Sequence, residues 1–201
     1  MRQFTTHHTV YKFDELSEEV KQTVLDNLRH VNVDSDFWCE HIIDDHVQQL
    51  EAQGLSNVDI QFSGFHSQGD GASFTATVSD LQAFLRHHKL GNEYKTLYSW
   101  HEYIDATIER ARYPHYVHSN MIHGDVRTGR DVYQEATPEQ YDRIHEQVDG
   151  FEKWLTEWAR DYSDDIYSEL FREYDYLTSD EAITEMIEAN EYEFYSDGRM
   201  A

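Results

Sequence analysis

The chain is short of cysteine, of basic side chains and of long apolar runs, and each shortage removes a class of protein. Its one cysteine, Cys39, has no partner for an internal disulfide, which fits a reducing compartment. Only 16 Lys and Arg stand against 40 Asp and Glu, a formal charge of −24 with histidine neutral. Direct nucleic-acid binding is opposed by that balance, since such binding gains its affinity by neutralising phosphates with cations. A protein partner with a basic surface is favoured instead. No run of about 18 apolar residues occurs, so no membrane partner is expected. The first residues, Met1-Arg2-Gln3-Phe4-Thr5-Thr6-His7-His8, lack the apolar stretch of a secretory signal, and a cytoplasmic location is expected. Signatures of catalysis are equally scarce: there is no Gly-x-Ser-x-Gly elbow, no His-Glu-x-x-His and no Gly-rich loop ending in Lys-Ser/Thr before a helix.

What remains suffices for a folded body. The chain is 39% hydrophobic and holds 4 Trp, 14 Tyr and 10 Phe, which is too many large apolar groups for a disordered polyelectrolyte. At 201 residues a single domain spanning 1–201 is expected, because one core stops growing only near roughly 250–300 residues.

Period decides the elements. Leu16, Val20, Val24, Leu25, Leu28 and Val31 recur at helical steps from Asp14 to about Val31, with Asp14 or Ser17 as cap. A second helix is expected from Ser35 or Asp36 to Gln53, with Phe37, Trp38, Ile42, Ile43, Val47 and Leu50 inward and Gly54 as its stop. The period then drops to two: Val58, Ile60 and Phe62, and after a glycine-rich connection Ala72, Phe74, Ala76 and Val78, alternate with polar residues as in a β-hairpin. Asp80 to His88 reads as a short helix, whereas Tyr94 to Ser99 is open between helix and irregular chain. Residues Tyr103 to Arg112 and His115 to His123, around Tyr113-Pro114, suggest a second hairpin, and Gly124 to Glu135 a surface loop. Thr137-Pro138-Glu139-Gln140 is a capping box with proline at the first helical position. Behind it Tyr141, Ile144, Val148, Phe151, Leu155, Trp158, Tyr162, Ile166 and Leu170 place one apolar stripe on a long helix. Thr178-Ser179-Asp180-Glu181 opens a further short helix, and Tyr192 and Phe194 alternate with glutamates, which suggests a last strand. The expected fold is α+β: an antiparallel sheet of two hairpins plus that strand, packed with two N-terminal helices and one long C-terminal helix.

Three segments also carry a resemblance. Tyr11-Lys12-Phe13-Asp14-Glu15-Leu16-Ser17, the run from Phe62-Ser63-Gly64-Phe65-His66 through Ser67-Gln68-Gly69-Asp70-Gly71-Ala72-Ser73-Phe74, and Tyr174-Asp175-Tyr176-Leu177-Thr178-Ser179-Asp180-Glu181-Ala182 with Asn190-Glu191-Tyr192-Glu193-Phe194 resemble those of a family of small acidic proteins of tailed bacteriophages. Where this chain has His66, members of that family tend to have Trp. The resemblance implies a phage accessory protein in the host bacterial cytoplasm. Some members are labelled antitoxin-like, and the family supplies no catalytic residues to carry over.

Two places could carry function. From Thr137 to Ala201, 19 Asp and Glu stand against 5 Lys and Arg. On the long helix Asp142, Glu146, Asp149, Glu152, Glu157 and Asp161, continued by Asp164, Asp165 and Glu169, fall between the apolar positions. Carboxylates along a rod can imitate the phosphates of a duplex and occupy a basic groove, so inhibition or sequestration of a host protein, such as a defence or nucleic-acid-processing enzyme, is the leading expectation. A solvated helix face explains the same charges. The second place is the hairpin tip, residues 63–73, where His66, Ser67, Gln68, Asp70 and Ser73 could hold a polar, nucleotide-like ligand, or where the glycines serve the turn alone. His115, His118 and His123, and His41, Asp45 and His46, lack the spacing of known metal sites, so no metal and no cofactor are expected. Cys39 beside Glu40 reads as a buried, inert thiol. The chain reads as a binding protein more than as an enzyme.

Overall fold

The computed structural model describes residues 1–3, 7–111 and 116–201. The fold is α+β. Its helices are α1 (Glu18–Leu28), α2 (Phe37–Ala52), α3 (Leu81–His87), α4 (Lys95–Ser99), α5 (Val132–Glu135), α6 (Pro138–Leu177) and α7 (Asp180–Ala189). Its strands are β1 (Tyr11–Lys12), β2 (Leu55–Phe62), β3 (Ala72–Val78), β4 (Ile104–Arg110), β5 (Ile122–Thr128) and β6 (Glu193–Phe194). The chain divides into two compact units, Met1–Glu40 with Phe171–Ala201, and His41–Leu170.

In the first unit β1 pairs antiparallel with β6, Tyr11 opposite Phe194. The last strand therefore forms a two-stranded sheet of its own and adds nothing to the hairpin sheet. Phe13, Leu16, Val24, Leu25, Ile183, Ile187 and Phe194 make its core. Helix α1 starts at Glu18, after Ser17, because Phe13–Glu15 form a separate 3-10 turn tied by the Lys12 N–H donating to Glu15 Oε2 at 2.8 Å. The Ser179 hydroxyl caps α7 by accepting from Ala182 N–H at 3.2 Å. Phe37 is 76% exposed, against the inward position expected for it. It is the first residue of α2, about 200° around the helix from Cys39, where the buried stripe of Cys39, Ile42, His46 and Leu50 begins. Cys39 is buried with its Sγ donating to the Asp36 carbonyl, and burial pushes its thiol up, so it is protonated and inert.

The second unit holds a four-stranded antiparallel meander in the order β2-β3-β4-β5. Gly54 enters β2 at φ +101, and its carbonyl accepts the N–H groups of Ser79 (2.9 Å) and Asp80 (3.0 Å), closing the far end of the first hairpin. The capping box at 137–140 forms as expected: Thr137 N–H donates to Gln140 Oε1 at 2.9 Å and Gln140 N–H to Thr137 Oγ1 at 3.3 Å. Helix α6 then runs for 40 residues and buries Ile144, Val148, Phe151, Leu155, Ala159, Ile166 and Leu170. Phe84 of α3 is fully buried among Phe151, Trp154, Trp158 and His88, with ring centroids 4.5–6.2 Å apart. Phe151, Trp154 and Trp158 of α6 thus pack into the core, as their spacing suggests. Burial in this cluster, with the neighbouring His87, pushes the His88 imidazole down to about 4, so it is neutral at pH 7.

One strand differs from the sequence reading. Residues 122–128 form β5, where a loop was expected from Gly124, and Ile122, Gly124 and Val126 are its inward positions. The middle one is glycine because α6 passes so close that a Cβ there would lie 3.1 Å from the Glu152 carbonyl oxygen and from Leu155. The missing side chain hides the alternation on which a strand is recognised. The outward backbone groups of β5 meet side chains one α6 turn apart: Arg160 Nε donates to the Ile122 carbonyl (3.2 Å), Gly124 N–H to Thr156 Oγ1 (2.8 Å) and Val126 N–H to Glu152 Oε2 (3.2 Å). The expected Tyr113-Pro114 turn, with Arg112 and His115, lies outside the described residues.

Candidate functional site

The hairpin tip is built by its own side chains. Asp70 Oδ2 accepts the N–H groups of His66 (3.0 Å) and Ser67 (2.7 Å), while Asp70 N–H donates to the Ser67 carbonyl at 3.1 Å. The carboxylate therefore shapes the loop that the ligand reading would have it serve. Ser73 is fully buried: its hydroxyl accepts Arg110 Nε at 3.0 Å and its carbonyl accepts Arg110 Nη2 at 3.1 Å. Arg110 also holds Asp59 through its carboxylate (2.7 Å) and its carbonyl (2.8 Å), so one guanidinium links β2, β3 and β4. Ser73 is consequently absent from the exposed tip, a correction to its place in the expected ligand set. His66, Ser67 and Gln68 are exposed. The glycines have a packing role. Gly69, at φ +96, faces the ring of Tyr116, and Gly71 faces His118, so residues 116–118 lie across the tip. On the other side Phe65 stacks between Phe62 and Tyr167, and the Tyr167 hydroxyl donates to the Gly64 carbonyl at 3.2 Å.

The acidic residues of α6 separate into two groups. Asp142, Glu146, Asp149, Glu157 and Asp161 are exposed, and so is Asp164. With Lys153 they occupy 142, 146, 149, 153, 157, 161 and 164, steps of three and four that keep one row on the outer face for about 33 Å. Among the described residues none of these six carboxylates is in an ion pair. Glu152 falls outside the row. It is half-buried, with its carboxylate turned to β5, which corrects its assignment to the partner-binding face. Spacing places a residue on a helix face but does not reveal that a strand edge lies within reach of it.

A third arrangement was not legible in the sequence. His46 of α2 is buried, with Nε2 3.2 Å from Glu169 Oε2 without hydrogen-bond geometry and Nδ1 3.2 Å from the Tyr162 hydroxyl, which also donates to Gln49 Oε1 at 3.4 Å. These residues are more than a hundred positions apart, and no local spacing announces them. Burial, then the charges of Asp165 and Glu169, push the Tyr162 phenol up to about 12. A phenol so raised is a hydrogen-bond donor and a poor nucleophile, so this set ties α2 to α6. His118 Nδ1 accepts Asn120 N–H at 3.2 Å, His123 and His41 are exposed, and among the described residues no three His, Cys, Asp or Glu side chains gather into a metal-binding group.

A family model described as a domain of unknown function (DUF8835) matches residues 38–180. The span includes all of the second unit, with the hairpin tip and the acidic row. No curated protein and no solved structure matches the chain.

Proposed function

The chain belongs to that family, and from this premise we propose that it is an acidic binding protein that inhibits or sequesters a host protein through a basic surface, in the bacterial cytoplasm. The observation that carries this reading is the row of six exposed carboxylates on α6, interrupted only by Lys153 and without an ion pair among the described residues. A helix face needs far less charge than this for solubility, and like charges at three- and four-residue steps repel, so the row costs the helix stability when unpartnered. A basic partner turns that repulsion into attraction. Six charges over about 33 Å are sparser than the phosphates of a duplex, one per about 1.7 Å, so the row fits a groove by position and supplies fewer ion contacts than DNA would. The resemblance of the tip and the C-terminal segments to small acidic phage proteins supports a host enzyme that handles nucleic acid as the target.

The test compares the wild type with the triple variant Glu146→Lys, Asp149→Lys, Glu157→Lys. All three positions are exposed, lysine is a good helix former, and the melting temperature should not fall. Immobilised wild type should retain a basic protein from bacterial lysate, release it as salt is raised and lose it to added duplex DNA. The triple variant should bind the recovered protein about 100-fold more weakly, with a flatter salt dependence. Retention that ignores salt, or equal affinity in the triple variant, would sink the reading.

A further inference from the structure

Against a charge of −24, one short segment is positive. Arg86, Lys89 and Lys95 lie within ten residues of each other and line one concavity of about 490 Å3, together with Gly91, Asn92 and Tyr98. No carboxylate lines it. The segment's one acid, Glu93, is not among the lining residues, and its backbone carbonyl accepts Gln147 Nε2 at 3.1 Å. Among the described residues none of the three cations is in an ion pair.

The concavity is held in place. Arg86 Nη1 donates to the Tyr98 hydroxyl at 2.9 Å, which orients the guanidinium, and Gln82 Nε2 donates to the Tyr98 carbonyl at 3.0 Å, which anchors α4 beneath it. Lys89 ends α3 in a left-handed conformation, φ +61. Its N–H donates to the Arg86 carbonyl at 3.1 Å and the next N–H, of buried Leu90, reaches back to the Leu85 carbonyl at 2.8 Å. That is a Schellman end, whose left-handed position glycine ordinarily fills. A lysine there keeps an ammonium at the mouth of the concavity at the cost of backbone strain, and strain retained at one residue points to a use for its side chain.

We propose that this concavity binds an organic diphosphate of the nucleoside diphosphate class. The Arg86 fork and the two lysine ammoniums take the phosphates, and the remaining volume beside Tyr98 and Asn92 takes the organic part. Beyond a Debye length of about 8 Å the rest of the protein is screened, so the local cations decide the binding at physiological ionic strength. No residue of the acidic row lines the concavity, and the proposal does not rest on the reading of that row.

Calorimetric titration of the whole chain at about 0.15 M salt, with ADP, pyrophosphate, orthophosphate and adenosine as probes, tests it. ADP should bind saturably and at least about tenfold more tightly than orthophosphate, and Lys89→Gly and Lys95→Gln should each weaken it about tenfold, which is the loss of one well-placed charged contact. Because glycine suits φ +61, Lys89→Gly should melt at or above the wild-type temperature, which separates lost binding from lost fold. Amide shifts on ADP addition should centre on Gly91 and Asn92. The proposal is overturned by an ADP titration without saturable heat or by variants that bind like the wild type. It is equally overturned by adenosine matching ADP, which removes the role of charge, or by pyrophosphate matching ADP, which removes the organic part. The triple variant of the acidic row should bind ADP as the wild type does.

Discussion

Truncating Phe84 to alanine should lower the free energy of unfolding by about 3–5 kcal/mol, the range for a large aromatic removed from a packed core. The ring is fully buried and touches Phe151, Trp154, Trp158 and His88, so the hole opens where α3 meets the long helix and cannot collapse without moving either. Denaturant titration reads the loss directly, and a change below about 1 kcal/mol would contradict this packing. A second readout comes from His88. Its folded value, about 4, lies below its unfolded value near 6.5, so the unfolded chain binds more protons between those limits. Neutral His88 therefore contributes stability that is present above about pH 6.5 and is lost as pH falls toward 4. With the Phe84 ring gone, water reaches the imidazole and this part of the pH dependence should shrink relative to wild type.

Gly71→Ala should cost about 3 kcal/mol, the upper end for overpacking, because nothing near it can rotate away. A Cβ at 71 would lie 2.8 Å from the Cα of His118, nearer still to its Cβ, and 3.2 Å from the Val117 carbonyl oxygen. Two of these are backbone atoms. Relief would move residues 117 and 118 off the hairpin, or break the hydrogen bonds between Ser63 and Gly71 (3.0 Å from Ser63 N–H to the Gly71 carbonyl). The outcome separates the two readings of the tip. If the glycines make room for residues 116–118, the variant melts early; if they serve a bound ligand, it melts like wild type and only binding suffers. Differential scanning calorimetry decides between them, with an unchanged melting temperature counting against the packing described here.

The long helix was legible because its signals agree: a capping box at Thr137, proline at 138 and an apolar repeat to Leu170. The first hairpin was legible for the same reason, its period-two runs being bounded by glycines. What the sequence conceals depends on contacts between distant residues. Gly124 erases the pattern of β5 because α6 needs the space, and in the sequence Glu152 is indistinguishable from an exposed carboxylate because the strand it bonds lies 26 residues away. Ser73 read as a tip residue because neither its own spacing nor that of Arg110 shows that one covers the other. The basic concavity did leave a trace, three cations within ten residues of a chain that has 16 in all, but no helical or strand period groups them.

The row of α6 side chains at 152, 156 and 160 has a consequence for how the protein fails. A strand at the end of a sheet offers its backbone as a template on which another chain can add. Here Glu152, Thr156 and Arg160 occupy those groups on β5, doing in side-chain atoms what a fifth strand would do in backbone. At the opposite end β2 is irregular, with a register shift around Asn57 (φ 53) and with Asp59 and Gln61 exposed, which makes it a poor template. The guard on β5 belongs to the same helix that covers the apolar face of the unit. Undocking α6 would thus uncover a sticky edge and a hydrophobic surface in one event, and the species to fear on refolding is a chain whose sheet has formed before its long helix has arrived.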